Sequence, residues 1–208
     1  MSRGRLSHSF FQKYNTCLLA QKLLGCELVH DSPDGLTSGI IVETEAYLQN
    51  DPASHAYNRR TVRSEPMYGI AGTIYIYLIY GMYQCFNVVS NQEDIGEAVL
   101  IRALQPTRGM DLMYLRRLIV PGKIIRPIQN KKISNVELCR GPGKLVKAMG
   151  IERAVHNNLH LSEGPIFITP PMKEGFEIVS SLRVGINVGV DLPYRYYIKD
   201  NVYVSKHS

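Results

Sequence analysis

The sequence lacks the features that mark several large classes of protein. Its four cysteines are widely spaced and form no C-x-x-C pair, so the sequence indicates neither a zinc site nor a redox motif and predicts reduced thiols. No run approaches about 18 apolar residues, and the N-terminus has no apolar stretch of the kind that a signal peptide needs. These absences predict an intracellular protein without a membrane segment, metal ion or organic cofactor.

The composition also shows no sign of a boundary between domains. Neither a composition break nor a low-complexity linker interrupts the 208 residues, which predicts one domain, 1–208. Lys and Arg outnumber Asp and Glu by 24 to 18, and this charge of +6 suits a polyanionic partner as well as many ordinary soluble proteins. Tryptophan is absent but 13 tyrosines are present, and their clustering between Tyr68 and Tyr83 is more informative than the charge.

The order of apolar and turn-forming residues predicts mixed helices and strands. Helices are expected at 16–24, 109–118 and 142–149, and a hairpin is expected to have its second arm at 39–48. Two strands should flank a bend at Gly81, and further strands or β-prone segments are expected at 97–104, 165–170, 176–180, 182–189, 194–200 and 202–205. Residues 49–67 are predicted as a long basic loop and 119–139 as irregular chain. The predicted fold is α+β, a single domain with a curved, largely antiparallel sheet flanked by short helices.

The stretch "IVETEAY" carries two carboxylates within the predicted strand at 39–48. Alternation along a strand puts Glu43, Glu45 and Tyr47 on one face, and by itself this pattern favours solvated glutamates on a half-exposed strand. In "EAVLIRAL", however, Arg102 shares its face only with apolar residues and therefore needs a partner. A carboxylate of Glu43 or Glu45 would provide one, in either a structural or a functional ion pair.

Tyrosines beside the basic loop suggest contact with nucleic acid. Tyr75 and Tyr77 share a strand face, whereas Tyr80 lies near the predicted bend, where its side chain could enter a duplex. A carboxylate next to an inward arginine suits hydrolysis at an anomeric carbon, and nucleobase excision is one such reaction. Two alternatives remain from the residues alone: a carbohydrate glycosidase that uses Glu43 and Glu45 as its carboxylate pair, and a non-catalytic binder of distorted or single-stranded nucleic acid.

The sequence resembles one known family along nearly the whole chain, from about residue 18 to residue 205. The family is that of the alkyladenine (3-methyladenine) DNA glycosylases of the vertebrate and bacterial type. The matching segments include "GIIVETEAYLQNDPASHAYNRRTVRSEPMYG", "GTIYIYLIYGMYQCFNVV", "AVLIRALQP", "LCRGPGKLVKAMGI", "LRVGI" and "YRYYIKDNVYVS". Two departures are Tyr194, where many members have tryptophan, and a loose match at 119–132.

The resemblance implies roles for individual residues of the reaction site. Glu45 would activate the attacking water, Arg102 and the carbonyl of Val184 would help to hold that water, and Glu43 would have a supporting or structural role. Four residues would surround the flipped base, with Asn87 rejecting the amino group of guanine: Tyr47, His55, Tyr77 and Asn87.

The resemblance also implies contacts with the duplex and a substrate class. Tyr80 would insert into the duplex with Met82 and Tyr83 beside it in the minor groove, and phosphates would be contacted by Arg63, Gly141 and Lys144. The implied activity is monofunctional hydrolysis of the N-glycosidic bond of an alkylated or deaminated purine (3-methyladenine, 7-methylguanine or hypoxanthine type) in double-stranded DNA. The expected form is a monomer that starts base excision repair.

Overall fold

A computed structural model describes residues 4–79, 81–119, 133–173 and 175–205. The helices within these ranges are α1 His8–Gln12, α2 Thr16–Lys22, α3 Met110–Leu118, α4 Asn135–Leu138, α5 Pro142–Met149 and α6 Arg153–His156, with a 3-10 helix at Glu65–Tyr68. The strands are β1 Glu27–Ser32, β2 Gly35–Tyr47, β3 Ile74–Ile79, β4 Tyr83–Val89, β5 Ala98–Arg108, β6 Ile166–Thr169, β7 Ile178–Ser181 and β8 Arg195–Ile198.

The strands form one curved antiparallel sheet, which confirms the predicted α+β fold. Its main order is β3-β4-β5-β2-β1-β6, and β8 joins β2 to β7. Along one edge, β2 pairs first with β1, over residues 35–40, and then with β8, over residues 43–45. Its register against β5 shifts around Glu43. Such irregularities bend a strand and increase its twist, so the sheet curves where Glu43 and Glu45 lie.

Local signals explain where two of the helices that pack on this sheet begin and end. The side chain of Asn15 accepts a hydrogen bond from the amide of Leu18 (2.9 Å) and caps α2. Helix α5 begins at Pro142 and ends before Gly150, whose φ of 68° is left-handed. Both helices bury apolar side chains in the main core, together with residues of β1, β2, β4 and β5. These packed helices hold the curved sheet from one side.

Most of the predicted elements are confirmed, including the three helices, the hairpin and the strands around the bend at Gly81. The strand predicted at 182–189 is wrong, because Gly185 and Gly189 have left-handed φ values of 79° and 59° that interrupt an extended chain. The strand predicted at 202–205 is also wrong, since the amide of Ser205 donates to the carboxylate of Glu43 instead of to a neighbouring strand.

The remaining differences concern short helices and one loop. Three helices of four or five residues, α1, α4 and α6, are not predicted from the sequence. Irregular chain was expected at 119–139; α4 lies inside this range, and residues 120–132 lie outside the described part of the structure. The loop at 49–67 is confirmed as lacking strands, with only the start of the 3-10 helix at its end. No helix in the described part of the chain is both long and apolar enough to cross a membrane.

The turn between β5 and α3 gives a test of the fold. Gly109 has a φ of 71°, and a Cβ atom there would lie 2.2 Å from the carbonyl oxygen of Leu36. Gly175 has a similar φ of 88° but open space around the corresponding position. We expect Gly175→Ala to lower the free energy of unfolding by about 1–2 kcal/mol, the cost of left-handed backbone, and Gly109→Ala to lower it by clearly more. Denaturant unfolding measures both, and equal losses would contradict the close contact.

Candidate active site

Glu43 and Glu45 lie in the interior of the protein, on the central strand β2. Both side chains are completely shielded from solvent, so the expectation of solvated glutamates on a half-exposed strand is wrong. The strand is covered on both sides, by β5 on one edge and by β8 on the other. Two buried carboxylates at this depth require cations or hydrogen-bond donors to offset their loss of hydration.

Arg102 on β5 provides the cation for both carboxylates. Its Nε donates to Oε1 of Glu43 at 3.0 Å, and one terminal nitrogen donates to Oε2 of Glu45 at 3.1 Å. Burial by itself lowers the pKa of Arg102, but the two carboxylates outweigh this effect and raise the pKa above its ordinary value. The predicted partnership of the inward arginine is therefore confirmed, and it includes both glutamates.

Glu45 has three donors in this structure and an acceptor position that is not used. Oε2 accepts from the hydroxyl of Tyr47 (2.9 Å) and from Arg102, while Oε1 accepts from the amide of Val184 (2.9 Å). A carboxylate has about four lone-pair positions, so within the described chain one position on Oε1 is left for another donor. The same nitrogen of Arg102 lies 3.5 Å from the carbonyl oxygen of Val184. A donor molecule at Glu45 would therefore meet Arg102 and Val184 as well.

Glu43, by contrast, accepts four hydrogen bonds from the described residues. Its Oε1 accepts from Arg102, from Nε of Arg195 at 2.7 Å and from the hydroxyl of Ser205 at 2.8 Å, and its Oε2 accepts from the amide of Ser205 at 2.7 Å. Burial by itself would raise the pKa of Glu43, but Arg102 and Arg195 lower it below its ordinary value. Glu43 is thus a structural anion that ties β2 to β5, β8 and the C-terminal segment. This arrangement speaks against Glu43 and Glu45 as a pair that shares proton transfer.

A cavity of about 340 Å³ lies beside this cluster, within the size range of small-molecule sites. The predicted base-binding residues all line it: Tyr47, His55, Tyr77 and Asn87. Arg102 and Val184 line it too, whereas Glu45 lies directly behind the wall that they form with Tyr47. The structure therefore places the four predicted base-binding residues and two of the three predicted catalytic residues, Arg102 and Val184, around one space, with Glu45 behind its wall.

The aromatic walls of this cavity are uncharged near neutral pH. Burial, with a smaller contribution from the charge of Arg63, lowers the pKa of His55 to about 4, and burial raises the pKa of Tyr75 to about 12. Burial also raises the pKa of Tyr47 and of Tyr77 above the ordinary value of a phenol. The ring of His55 contacts the edge of Tyr77, at 4.5 Å between centroids, and its Nδ1 lies 2.9 Å from the hydroxyl of Tyr75. A bound molecule would meet neutral aromatic surfaces.

The orientation of Asn87 is determined by the backbone next to it. Its side-chain nitrogen donates to the carbonyl of Tyr75 at 2.9 Å and lies 3.4 Å from that of Cys85. Because the nitrogen is used in this way, the position of the side-chain oxygen follows as well. A rigid amide at this place can distinguish molecules by shape and by hydrogen bonding.

Arg63 lines the cavity, and two exposed side chains follow shortly after Ile79, which lines it as well. The guanidinium of Arg63 lies 5.4 Å from the ring centroid of Tyr77. Met82, in the turn between β3 and β4, is 70% exposed, and Tyr83, the first residue of β4, is 53% exposed, while Tyr80 lies outside the described residues. These exposed groups form one candidate contact surface beside the cavity.

The start of α5 lies next to this surface. Pro142 lines the cavity, and a Cβ atom at Gly143 would lie 3.1 Å from the ring of Tyr83. Gly141 occupies the N-cap position of α5, and the ammonium of Lys144 is bound to Glu137 at 2.5 Å. Any phosphate at Lys144 would therefore compete with a carboxylate that is already in place.

Some residues that shape the site were not predicted from the sequence. Tyr75 was noticed as a neighbour of Tyr77 on the same strand face, but its hydrogen bond to His55 was not foreseen. Asp51, Arg183 and Ser205 support the glutamate cluster through contacts over more than 100 residues. The matching segment "LRVGI" could have drawn attention to Arg183, since it precedes Val184. In the described ranges, no group of three or more His, Cys, Asp or Glu side chains could hold a metal ion.

Comparisons with known proteins agree on one family. A family model described as methylpurine-DNA glycosylase matches residues 9–202. Relatives named "Putative 3-methyladenine DNA glycosylase" occur in Methanoculleus marisnigri (42% identical, covering 94% of this chain and 96% of the relative) and in Carboxydothermus hydrogenoformans (45%, covering 94% and 96%). A Francisella tularensis relative with the same name is 44% identical and covers 90% and 92%.

The buried anion at Glu43 gives a test of this electrostatic cluster. Because its pKa is lower in the folded chain than its ordinary 4.5, Glu43 stabilises the fold above that pH and loses this contribution as the pH falls through the folded value. We expect Glu43→Gln to lower the free energy of unfolding at pH 7 by up to about 3–5 kcal/mol, because two buried arginines lose their anion. The difference from the native chain should shrink below about pH 4.5.

The measurement is denaturant unfolding over this pH range, with Glu163→Gln as control. Glu163 is an exposed carboxylate, and its replacement should leave stability unchanged. A destabilisation by Glu43→Gln that is the same at every pH would contradict the role of the charge.

Proposed function

The chain belongs to the methylpurine-DNA glycosylase family, and we propose that it excises alkylated or deaminated purines from double-stranded DNA. The observation that carries this proposal is the unused acceptor position on Glu45, which lies beside Arg102, the Val184 carbonyl and an aromatic cavity. We also propose that the active form is a monomer. The product, an abasic site, would start base excision repair.

The proposed reaction is a direct hydrolysis at the anomeric carbon. A water molecule donates one hydrogen bond to Oε1 of Glu45 and is held by Arg102 and the carbonyl of Val184. As the N-glycosidic bond breaks, its electron pair leaves with the base, and positive charge develops on the sugar. Glu45 takes the proton from the water while the water oxygen forms the new bond to the anomeric carbon. Arg102 cannot serve as the base, because a guanidinium keeps its proton.

The cavity walls suit a flat base that carries positive charge. We propose that the rings of Tyr47 and Tyr77 stack on the base, since stacked aromatic faces attract cations. His55 is neutral at physiological pH and therefore does not repel such a base. An alkylated purine is already a cation and leaves as a neutral molecule, so an activated water and a closely fitting cavity provide the main assistance. Asn87, held by the backbone, would reject guanine through its exocyclic amino group.

Extrusion of the base from the duplex is the proposed way into the cavity. Flipping costs a few kcal/mol, and side chains that fill the vacated space would offset part of this cost. We assign this role to Tyr80, with Met82 and Tyr83 beside it, because the two described residues are exposed next to the cavity mouth. Arg63 and the start of α5, with Gly141 and Lys144, would contact phosphates. The net positive charge of the chain suits such contacts with anionic phosphates.

Strand cleavage is not part of the proposed activity. Lyase activity of glycosylases needs an amine that forms a Schiff base with the sugar, and no lysine is among the residues that line the described cavity. The expected products are therefore the free base and an intact strand with an abasic site.

Base release gives the first test of the proposed function. The protein is incubated with duplex DNA that contains one 3-methyladenine, 7-methylguanine or hypoxanthine, and free base and alkali-labile sites are measured. We expect release of the damaged base and strand breaks only after alkali. Binding of the damaged duplex without release would favour the non-catalytic binder, and breaks without alkali would contradict the monofunctional reaction.

The two glutamates should differ in this assay. Glu45→Gln removes the proton acceptor, and we expect the rate of base release at saturating enzyme to fall by about 100-fold to 10,000-fold while binding of the damaged duplex persists. Glu43→Gln keeps Glu45 but weakens the support of Arg102, so its loss of rate should be smaller. Gel-shift binding and single-turnover rates at pH 7 separate the two effects. An equal or larger loss in Glu43→Gln, under conditions where this variant is folded, would show that the general base is misassigned.

A further inference from the structure

Asp51 and Arg183 form a second buried ion pair close to the glutamate cluster. Both side chains are essentially unexposed. The guanidinium of Arg183 donates hydrogen bonds to both carboxylate oxygens of Asp51, and one of these bonds is 2.9 Å long. It also donates to the carbonyl of Ala46 at 3.0 Å and to that of Gly189 at 3.2 Å. Asp51 and Arg183 do not line the cavity, so neither would touch a bound base.

The position of Arg183 connects this pair to Glu45. Residues 182–194 between β7 and β8 contain no helix or strand, yet Val184 in this segment supplies the amide that binds Glu45 and the carbonyl next to Arg102. Regular hydrogen bonding does not hold these atoms in place. Arg183 ties the segment to the residue between Glu45 and Tyr47, to the loop after β2, and to Gly189 in the segment itself.

Arg183 also supports the wall of the cavity. Its guanidinium lies 4.7 Å from the ring centroid of Tyr47 and 5.5 Å from that of Tyr194. Because Tyr47 lines the cavity and Arg183 does not, the cation supports the tyrosine from outside the cavity. Two of the three donors to Glu45, the amide of Val184 and the hydroxyl of Tyr47, thus belong to residues that Arg183 holds.

Stability alone gives a poor explanation of this pair. A buried ion pair often contributes no more to stability than apolar residues of the same volume. The Nε of Arg183 is buried and has no hydrogen-bond partner among the described residues, which adds a cost. A bidentate contact does, however, define the direction of a side chain in a way that apolar packing does not.

We propose that Asp51 and Arg183 are positioning residues of the reaction, which hold Val184 and Tyr47 so that Glu45 keeps its acceptor position directed at the attacking water. This inference rests on the proposed function. Changes in Asp51 or Arg183 should therefore lower the rate of base release through their effect on Glu45, and they should have little effect on the binding of DNA.

The test compares Arg183→Lys, which keeps the charge but cannot make the bidentate contact, with the native chain. A misplacement of about 1 Å costs about 100-fold in rate, so we expect a loss of this size in single-turnover base release. The dissociation constant for damaged duplex should stay within about threefold, since the lost contacts lie outside the cavity. Asp51→Asn should show the same split between rate and binding.

A double variant shows whether the effect passes through Glu45. If it does, adding Arg183→Lys to Glu45→Gln should cost no further rate, because residues that act as a unit are not additive. An additional loss in the double variant equal to that in the native background would overturn the inference. So would a native rate of base release in Arg183→Lys.

Arg116→Lys is the matched control for general destabilisation. Arg116 is also largely buried and donates to the carbonyl of Met149 (2.8 Å) and to Ser32 (2.9 Å), but it does not line the cavity. We expect it to lower the melting temperature as Arg183→Lys does and to leave the rate unchanged; an equal loss of rate would overturn the inference.

A native chain that releases no base would overturn the proposed function and the inference together, whereas an active native chain with an equally active Arg183→Lys would overturn only the inference.

Discussion

The contact of Arg102 with two buried glutamates is the constraint on which the site depends. Either glutamate without a cation would be an uncompensated charge at this depth, and so would the arginine without its partners. The guanidinium of Arg102 donates hydrogen bonds to both carboxylates, and these bonds require β2 and β5 to lie side by side. The register shifts around Glu43, so the curvature of the sheet and the geometry of the charges have the same origin.

Surroundings, and not residue type, make the two glutamates different. Glu43 receives four hydrogen bonds and connects three strands with the C-terminal segment, which suits a structural role. Glu45 receives three and lies directly behind the cavity wall. The same local motif therefore supplies one anion that connects several strands and one to which we assign the chemistry.

The neutrality of the cavity follows from the same packing. Burial lowers the pKa of His55 so that it is unprotonated at neutral pH, and it raises the pKa values of Tyr47, Tyr75 and Tyr77 further above neutrality. The charges of the site are thus confined to the ion-paired cluster and to the exposed Arg63 at the mouth. Such a distribution suits a positively charged base that enters from a polyanion, because the outer charge attracts the phosphates and the inner walls present aromatic faces.

The sequence by itself determined three of the helices, the hairpin, the tyrosine-rich strands and the family, because capping residues, side-chain alternation and motif order are properties of neighbouring residues. It also showed that Arg102 needed a carboxylate partner. Only the tertiary structure decided that both glutamates are buried, that residues 182–189 and 202–205 are not strands, and that Asp51, Arg183 and Ser205 complete the cluster. The physical reason is that burial and ion pairing depend on residues far apart in the chain, whose approach no local periodicity records.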